Sequence, residues 1–361
     1  MRQHRILVDS FADAGWPNAQ MGNAREIVCR LDPSRFHVSM FVLGAPDPRI
    51  AARNNTRLIQ LPQRRQTVRI LAEFLWGKHQ ILFYVKSSPA SRCYLSLRKK
   101  WRDGRITIGS IESQCDLRNE TDVSPEAIRL WEQTILRCDY LFSNSTYVQR
   151  SLKVEYGLGS EVIPTGVDTD FFNPQWDRPV NQRPQVLFVG TLRSRKQPQF
   201  LLPAAARFPG ADFTIAGDGP MGRELAARVA QEGLRNVVLA GPMSADQLRQ
   251  QYRRADIFLF PSVFEGSPKV ILEAAACGVP AIIRNHYSAE TVIHGVTGFQ
   301  AVADEDLLSF LELLLARPQL RRALGQAARE HSKKYDWDCI TAQWAETFTA
   351  LTSGRELRRA S

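Results

Sequence analysis

One pattern, run twice, most constrains what this chain can fold into. Short continuous apolar runs alternate with stretches whose apolar residues fall at helical spacing. In the first half the runs are residues 5–9, 37–43, 58–61, 81–85, 106–108 and 140–143, separated by helical patterns at 23–31, 68–78, 90–100 and 125–136. In the second half the runs are 186–189, 213–216, 237–239, 257–260 and 281–283, with helical patterns at 197–207, 221–232, 245–253 and 270–276. Strands without polar alternation, each followed by a helix, imply parallel sheets covered on both faces. Asn173-Pro174, Arg178-Pro179 and Arg183-Pro184 punctuate the junction, which places a boundary near residue 180. The expected architecture is α/β: two doubly wound, Rossmann-like domains facing across a cleft, over 1–180 and 181–335.

Composition removes several alternatives. A chain of 361 residues, 44% hydrophobic and 23% charged, can fill two cores and is neither disordered nor fibrous. Six scattered cysteines (Cys29, Cys93, Cys115, Cys138, Cys277, Cys339) form no CxxC pair and no zinc spacing, and read as reduced thiols. The longest apolar stretches, such as 307–316 with Glu312, are too short to span a membrane. The start leads straight into a strand without a signal-peptide core, so a cytoplasmic location is expected, with a peripheral position at the inner membrane face as a further option.

The net charge of +10 is regional. Residues 49–105 hold fourteen Lys/Arg against Glu73 and Asp103. Such a stretch attracts phosphates or anionic lipid headgroups, or it is simply a solvated face. Within it, the candidate helix 64–78 places Val68, Leu71, Leu75 and Trp76 on one side near Arg64, Arg65, Arg69 and Lys78. It could lie on an anionic membrane or turn its apolar side to the core. Nucleic-acid binding ranks last, because no reader motif is present.

The stretch 261–283 is the richest in chemistry. The strand 257–260 ends in a loop with Glu265, Gly266, Ser267 and Pro268, and a helix starting near Lys269 carries Val270 and Glu273. Two carboxylates eight positions apart, beside helix-start amides, suit a hydroxyl-rich or anionic ligand. Alternatively, Glu265 caps the helix and Glu273 faces solvent. The GDGPMG turn at 217–222, with Gly217 and Gly219, fits G-x-G-x-x-G but follows the second strand of its domain, where a dinucleotide fingerprint does not belong. After Asp9, Gly15 and Gly22 flank a polar turn expected to open a helix at about Asn23. Asp168 with Asp170, and Asp336 with Asp338, have D-x-D spacing, but the first pair lies in the linker-like segment and the second precedes the last helix.

With its context, the 261–283 stretch resembles the E-x7-E signature of the retaining family-four glycosyltransferases, which have the GT-B fold. The segments VIPTGVDTDFFNP (162–174, with Thr165 in the usual Asn place), FVGTLRSRKQ (188–197), FTIAGDGP (213–220) and 237–262 resemble the family's other motifs in order. The resemblance implies a retaining hexosyltransferase that moves a sugar from a UDP- or GDP-sugar to the hydroxyl of a glycan, lipid-linked or phosphorylated acceptor, without a metal or other cofactor. It implies Lys196 on the donor diphosphate and Glu265 at the transferred sugar as the catalytic pair. Glu273 would hold the ribose, and a final helix at 336–361 would return toward the first domain, as in related enzymes. Thr191, Arg195, Gly217, Gly219, Gly266, Ser267, Pro268, Lys269 and Val270 would complete the donor site from the second domain, and Gly22 and Glu112 from the first. Three departures are visible. Thr191 stands where the family often has Arg, the paired glycines near Gly22 are absent, and no His lies between His79 and His286, so Glu112 occupies the region of the family His. These departures fit an alternative: a degenerate, non-catalytic subunit of the same fold that binds a partner.

Overall fold

The computed structural model describes residues 3–14, 19–101, 103–113, 124–287 and 290–354. It divides into two compact units, Met1–Thr165 with Trp337–Ser361, and Gly166–Asp336. The first unit holds strands β1 (His4–Phe11), β2 (Phe36–Val42), β3 (Thr56–Gln60), β4 (Ile81–Phe83), β5 (Ile106–Ile111), β6 (Tyr140–Ser143) and β7 (Glu161–Val162). They form one parallel sheet in the order β3-β2-β1-β4-β5-β6-β7.

The apolar runs of this sheet serve two cores at once. Along β1, Ile6 and Val8 belong to one buried cluster and Leu7 to the other, as the two-residue period of a strand requires. The first cluster takes Ala24, Ile27 and Val28 from helix Ala19–Arg30, and Ile340, Trp344 and Phe348 from helix Trp337–Thr352. The Trp344 ring centroid is 4.7 Å from that of Phe83 and 4.8 Å from that of Phe142, so the last helix is part of this unit's core. Truncating such a ring to alanine costs about 3–5 kcal/mol. The second cluster packs Phe74 of helix Gln66–Trp76 and Tyr94 of helix Pro89–Trp101 against Leu7, Phe41 and Leu82.

The second unit holds β8 (Gln185–Val189), β9 (Asp212–Ala216), β10 (Val237–Gly241), β11 (Ile257–Phe260), β12 (Ala281–Arg284) and β13 (Gly298–Ala301). They too form a parallel sheet, in the order β10-β9-β8-β11-β12-β13. In both sheets the strand order reverses between the unit's first and fourth strands, and loops leaving the carboxyl ends there are where doubly wound folds bind ligands.

The division falls at Thr165/Gly166, and the proline-bearing stretch near residue 180 lies inside the second unit. Hydrogen bonds account for this. Val167 N donates to Tyr335 O at 2.9 Å, Arg329 Nη1 donates to Thr169 O at 3.0 Å, and Arg178 and Asn181 both reach Asp256.

Several local expectations need correction. Helix Ala19–Arg30 begins four residues before Asn23, because Met21 and Ala24 already lie on its buried stripe. The pattern at 197–207 is broken: 3-10 turns Ser194–Lys196 and Pro198–Phe200 precede helix Leu201–Arg207, with Gln197 at φ +48° between them. Helix Gln66–Trp76 does not keep its apolar residues on one side. Phe74 is buried with Leu71 and Leu75 packed behind it, whereas Val68 is 64% and Trp76 76% exposed. Among the described residues no helix is long and apolar enough to cross a membrane.

Candidate functional site

Strands β8 and β11 are hydrogen-bonded neighbours at the reversal point of the second sheet, so their following loops emerge side by side. The loops are joined by backbone, Val263 N donating to Arg195 O at 2.9 Å, and Ser262 Oγ lies 3.2 Å from the same carbonyl. Across this seam Lys196 Nζ forms an ion pair with Glu265 Oε1, and Ser262 Oγ donates to that oxygen at 2.6 Å. The two charged side chains are only 12% and 8% exposed. The Lys196 ammonium lies 5.0 Å from the centroid of the Phe260 ring. Burial holds the Lys196 pKa below the ordinary lysine value, although the Glu265 carboxylate pulls it upward. Arg195 sits over the Phe264 ring at 5.5 Å, and Thr191 is exposed in the loop after β8.

Glu265 does not cap the following helix. Pro268 is the N-cap of Lys269–Ala276 and provides no side-chain hydrogen bond, so the amide end of this helix lies next to the ion pair in sequence without a side-chain lid. Glu273, on the second turn, accepts a hydrogen bond from Tyr252 Oη at 3.0 Å. Burial raises the Glu273 carboxyl pKa, while the Tyr252 hydrogen bond and the Lys269 charge act in the opposite direction.

The GDGP turn is built by close backbone approach. A Cβ at Gly217 would fall 1.9 Å from Gly190 O, and one at Gly219 would fall 2.6 Å from Leu192 O. Gly217 also has φ +136°, which disfavours any side chain. Leu192 N donates to Asp218 O at 2.9 Å and Met221 N to Leu192 O at 3.0 Å, so this turn braces the loop that carries Thr191 and leads to Lys196. The second unit therefore gathers Thr191, Arg195, Lys196, Gly217, Gly219 and Glu265 through Val270, with Glu273 on the helix that follows.

Gly22 and Glu112 belong to the first unit. Gly22 lies in the first turn of helix Ala19–Arg30 and not in a loop; Gly15 falls outside the described residues. Glu112, just past β5, accepts from Asn23 Nδ2 at 3.2 Å, and Asn23 Oδ1 accepts from Thr165 Oγ1 at 3.0 Å. The Tyr84 hydroxyl also hydrogen-bonds Glu112 and Asn23, and Tyr84 is held at φ +57°. This network surrounds a cavity of about 10 Å³, room for one water, into which Asn144 contributes an Oδ1 with no hydrogen-bond partner among the described residues.

Sequence reasoning missed four residues. Tyr252 carries only the apolar-spacing signal of a core position. Ser262 looks like an ordinary loop residue. Arg284, buried at the end of β12, donates to Pro261 O at 2.9 Å and Gln197 Oε1 at 2.7 Å, locking both loops; a charge closing an apolar strand was its visible sign. Tyr287 has a buried hydroxyl without a hydrogen-bond partner among the described residues, and the Glu265 charge raises its pKa further above the effect of burial. Three of the D-x-D aspartates are engaged within the protein: Asp168 accepts from Phe171 N at 2.8 Å, Asp336 from Thr169 N at 3.1 Å, and Asp338 pairs with Arg30 at 3.0 Å. Among the described residues no cluster of three or more His, Cys, Asp or Glu could hold a metal ion.

Comparison with known proteins places this geometry in context. Residues 172–331 match the family model described as glycosyl transferases group 1. A sulfoquinovosyl transferase of Arabidopsis thaliana is 30% identical over 193 residues, which is 49% of this chain and 37% of that protein. A D-inositol 3-phosphate glycosyltransferase of Nocardiopsis dassonvillei is 28% identical over 269 residues, 67% of this chain and 63% of the relative. The chain thus spans about a third to two thirds of the length of these relatives. Among solved structures, sucrose-phosphate synthase from Thermosynechococcus elongatus superposes with a TM-score of 0.79 at 20% identity, covering 98% of this chain and all of that one. Anabaena HepE, solved with UDP and glucose, gives 0.75 at 16% identity over 97% of this chain and all of that one. At such identities the structures establish the GT-B fold alone, and the family match covers less than half of the chain.

Proposed function

We propose that this chain is a retaining glycosyltransferase that takes a hexose from a UDP- or GDP-sugar, and that the second unit binds the donor. The observation that carries the reading is the nearly buried Lys196–Glu265 pair at the reversal point of the second sheet, beside the helix that presents Glu273. A buried ion pair contributes little net stability. What it offers instead is a cation held ready, whose counter-charge a bound diphosphate can replace. Lys196 then neutralises charge growing on the leaving diphosphate, the largest electrostatic demand of the reaction. Glu265, released from Lys196, accepts hydrogen bonds from sugar hydroxyls, and Glu273, oriented by Tyr252, accepts those of the ribose. The bond from the anomeric carbon to the diphosphate breaks, the acceptor oxygen bonds to the same face, and the acceptor proton passes to the departing phosphate oxygen. No residue in this scheme needs a metal, and we propose metal independence as part of it.

The acceptor falls to the first unit in this reading, with Glu112, held by Asn23 and Tyr84, available to accept hydrogen bonds from acceptor hydroxyls. Exposed Val68, Trp76 and Trp101 beside Arg64, Arg65, Lys99 and Lys100 suit an anionic membrane surface and so a lipid-linked acceptor. Nucleotide-diphosphate release from a panel of UDP- and GDP-sugars tests the core of the proposal. Wild-type protein is expected to turn over at least one donor slowly even without acceptor, and Lys196→Gln and Glu273→Gln are each expected to depress that turnover. Near-normal rates in both variants would sink the assignment; no turnover of any donor by the wild type would favour a non-catalytic binding subunit.

A further inference from the structure

The amino-terminal edge of the second sheet, away from the loops just described, carries a cavity of about 280 Å³. Asp256, immediately before β11, and Pro280, immediately before β12, line its floor. Trp176 forms one wall. Its indole is seated against Gly278: a Cβ there would stand 2.4 Å from Trp176 Cη2, and Gly278 has φ +75° besides. The ring is therefore fitted to the backbone, yet remains 43% exposed.

The charges around this hollow do not balance. Arg178, Arg253, Arg321 and Arg322 line it, against the single carboxylate of Asp256. That carboxylate is already committed to Arg178 at 2.8 Å, Asn181 at 2.7 Å and Gln185 N at 2.9 Å. Arg253 donates to the neutral Asn173, and Arg321 to the Leu314 and Leu315 carbonyls at 2.6 and 3.0 Å. Arg322 has no hydrogen-bond or ion-pair partner among the described residues. Arg253, Arg321 and Arg322 thus line the cavity without an ion-paired carboxylate among the described residues, although the Asp256 charge acts on Arg321. Guanidinium groups in excess beside an aromatic and proline wall suit an anion attached to a ring.

We propose that this cavity binds a small ring-bearing phosphomonoester, with its ring against Trp176 and its phosphate among Arg253, Arg321 and Arg322. Guanidinium groups match phosphate oxygens in pairs, and an indole face packs equally on a sugar ring or a nucleobase. Sugar phosphates and nucleoside monophosphates both carry this chemistry. At about 280 Å³ the cavity falls just below the ~300–1,000 Å³ common for ligand pockets, a size that suits a small ligand. The site is separate from the Lys196–Glu265 centre, because β11 runs between the two edges of the sheet.

Isothermal titration of the full chain with glucose 6-phosphate, UMP and inorganic phosphate tests the proposal. One of the two ring-bearing compounds is expected to bind in the millimolar range or tighter, and inorganic phosphate at least about ten-fold more weakly. Arg322→Glu, an exposed change that leaves folding intact, and Trp176→Ala should each weaken that binding about ten-fold or more. Lys196→Gln should leave it unchanged. Which ring-bearing compound binds identifies the ligand source. The proposal fails if neither binds at about 10 mM, if binding survives both cavity substitutions, if Lys196→Gln abolishes it, or if phosphate alone binds as tightly.

Discussion

The two sheets carry opposite charges at equivalent places. In the first, an acid stands near the end of strand one and a base follows strand four: Asp9 in β1, and Lys86 just past β4. In the second, the base follows strand one and the acid follows strand four: Lys196 after β8 and Glu265 after β11. The partners differ more than the signs. Asp9 accepts the backbone amide of Lys86 at 2.8 Å and the Ser91 hydroxyl at 3.3 Å, so its carboxylate holds chain to chain. Burial raises its pKa even though Lys86 pulls it down, and burial also lowers that of Lys86, which lies 4.4 Å from the Phe11 ring. Glu265 is held instead by two side chains, Lys196 and Ser262, which can turn to a ligand without unpicking the backbone. The same fold position thus serves architecture in one unit, and in our proposal chemistry in the other.

The largest expected effect separates these roles directly. Lys196→Gln keeps a donor for Glu265 but removes the charge, and should lower donor turnover by about 10²–10³-fold. Its melting temperature should shift by only a few degrees. Asp9→Ala should do the reverse. Orphaning the Lys86 amide costs about 1–3 kcal/mol, read from urea unfolding, with turnover per folded molecule less affected than in Lys196→Gln. Equal stability losses in the two variants would break the comparison.

Glu273 sharpens it through pH. Its raised folded pKa means that its stabilising contribution is complete below the ordinary carboxylate range and is lost as pH rises through that folded value. The stability of wild type relative to Glu273→Gln should therefore fall as pH rises from the ordinary carboxylate range through that raised value. A flat difference across pH would contradict the burial assigned to it. The smallest effect concerns helix Gln66–Trp76. Trp76→Ala should change stability by about 0.5 kcal/mol or less, against about 3–5 kcal/mol for Phe74→Ala on the opposite side. If the exposed ring serves a lipid surface, co-sedimentation with anionic vesicles should drop in Trp76→Ala while stability does not.

Much of the basic stretch 49–105 shows why composition alone misleads. Arg49 pairs with Glu26 and Asp47, Arg57 and Arg69 with Glu73, Arg98 with Asp139 and Arg105 with Asp103. Three of those acids, Glu26, Asp47 and Asp139, lie outside the stretch, so the excess counted along the chain is partly neutralised in space. The cations left for a surface include Arg64, Arg65, Lys99 and Lys100.

The alternation of apolar runs and helical spacing, with glycines at Gly217 and Gly219 and the Glu265–Glu273 interval, was enough to determine two parallel α/β sheets and to nominate the second as the home of a site. These are local properties: period, turn geometry and spacing within one strand–loop–helix unit are written in consecutive residues. Strand order, the Lys196–Glu265 pair across 69 positions, Tyr252 behind Glu273, and Trp176 seated on Gly278 were decided only by tertiary structure. Their cause lies in which surfaces must be buried together. Short edge strands such as β7 and β13, and partners drawn from distant helices, leave no periodic trace in the residues that form them.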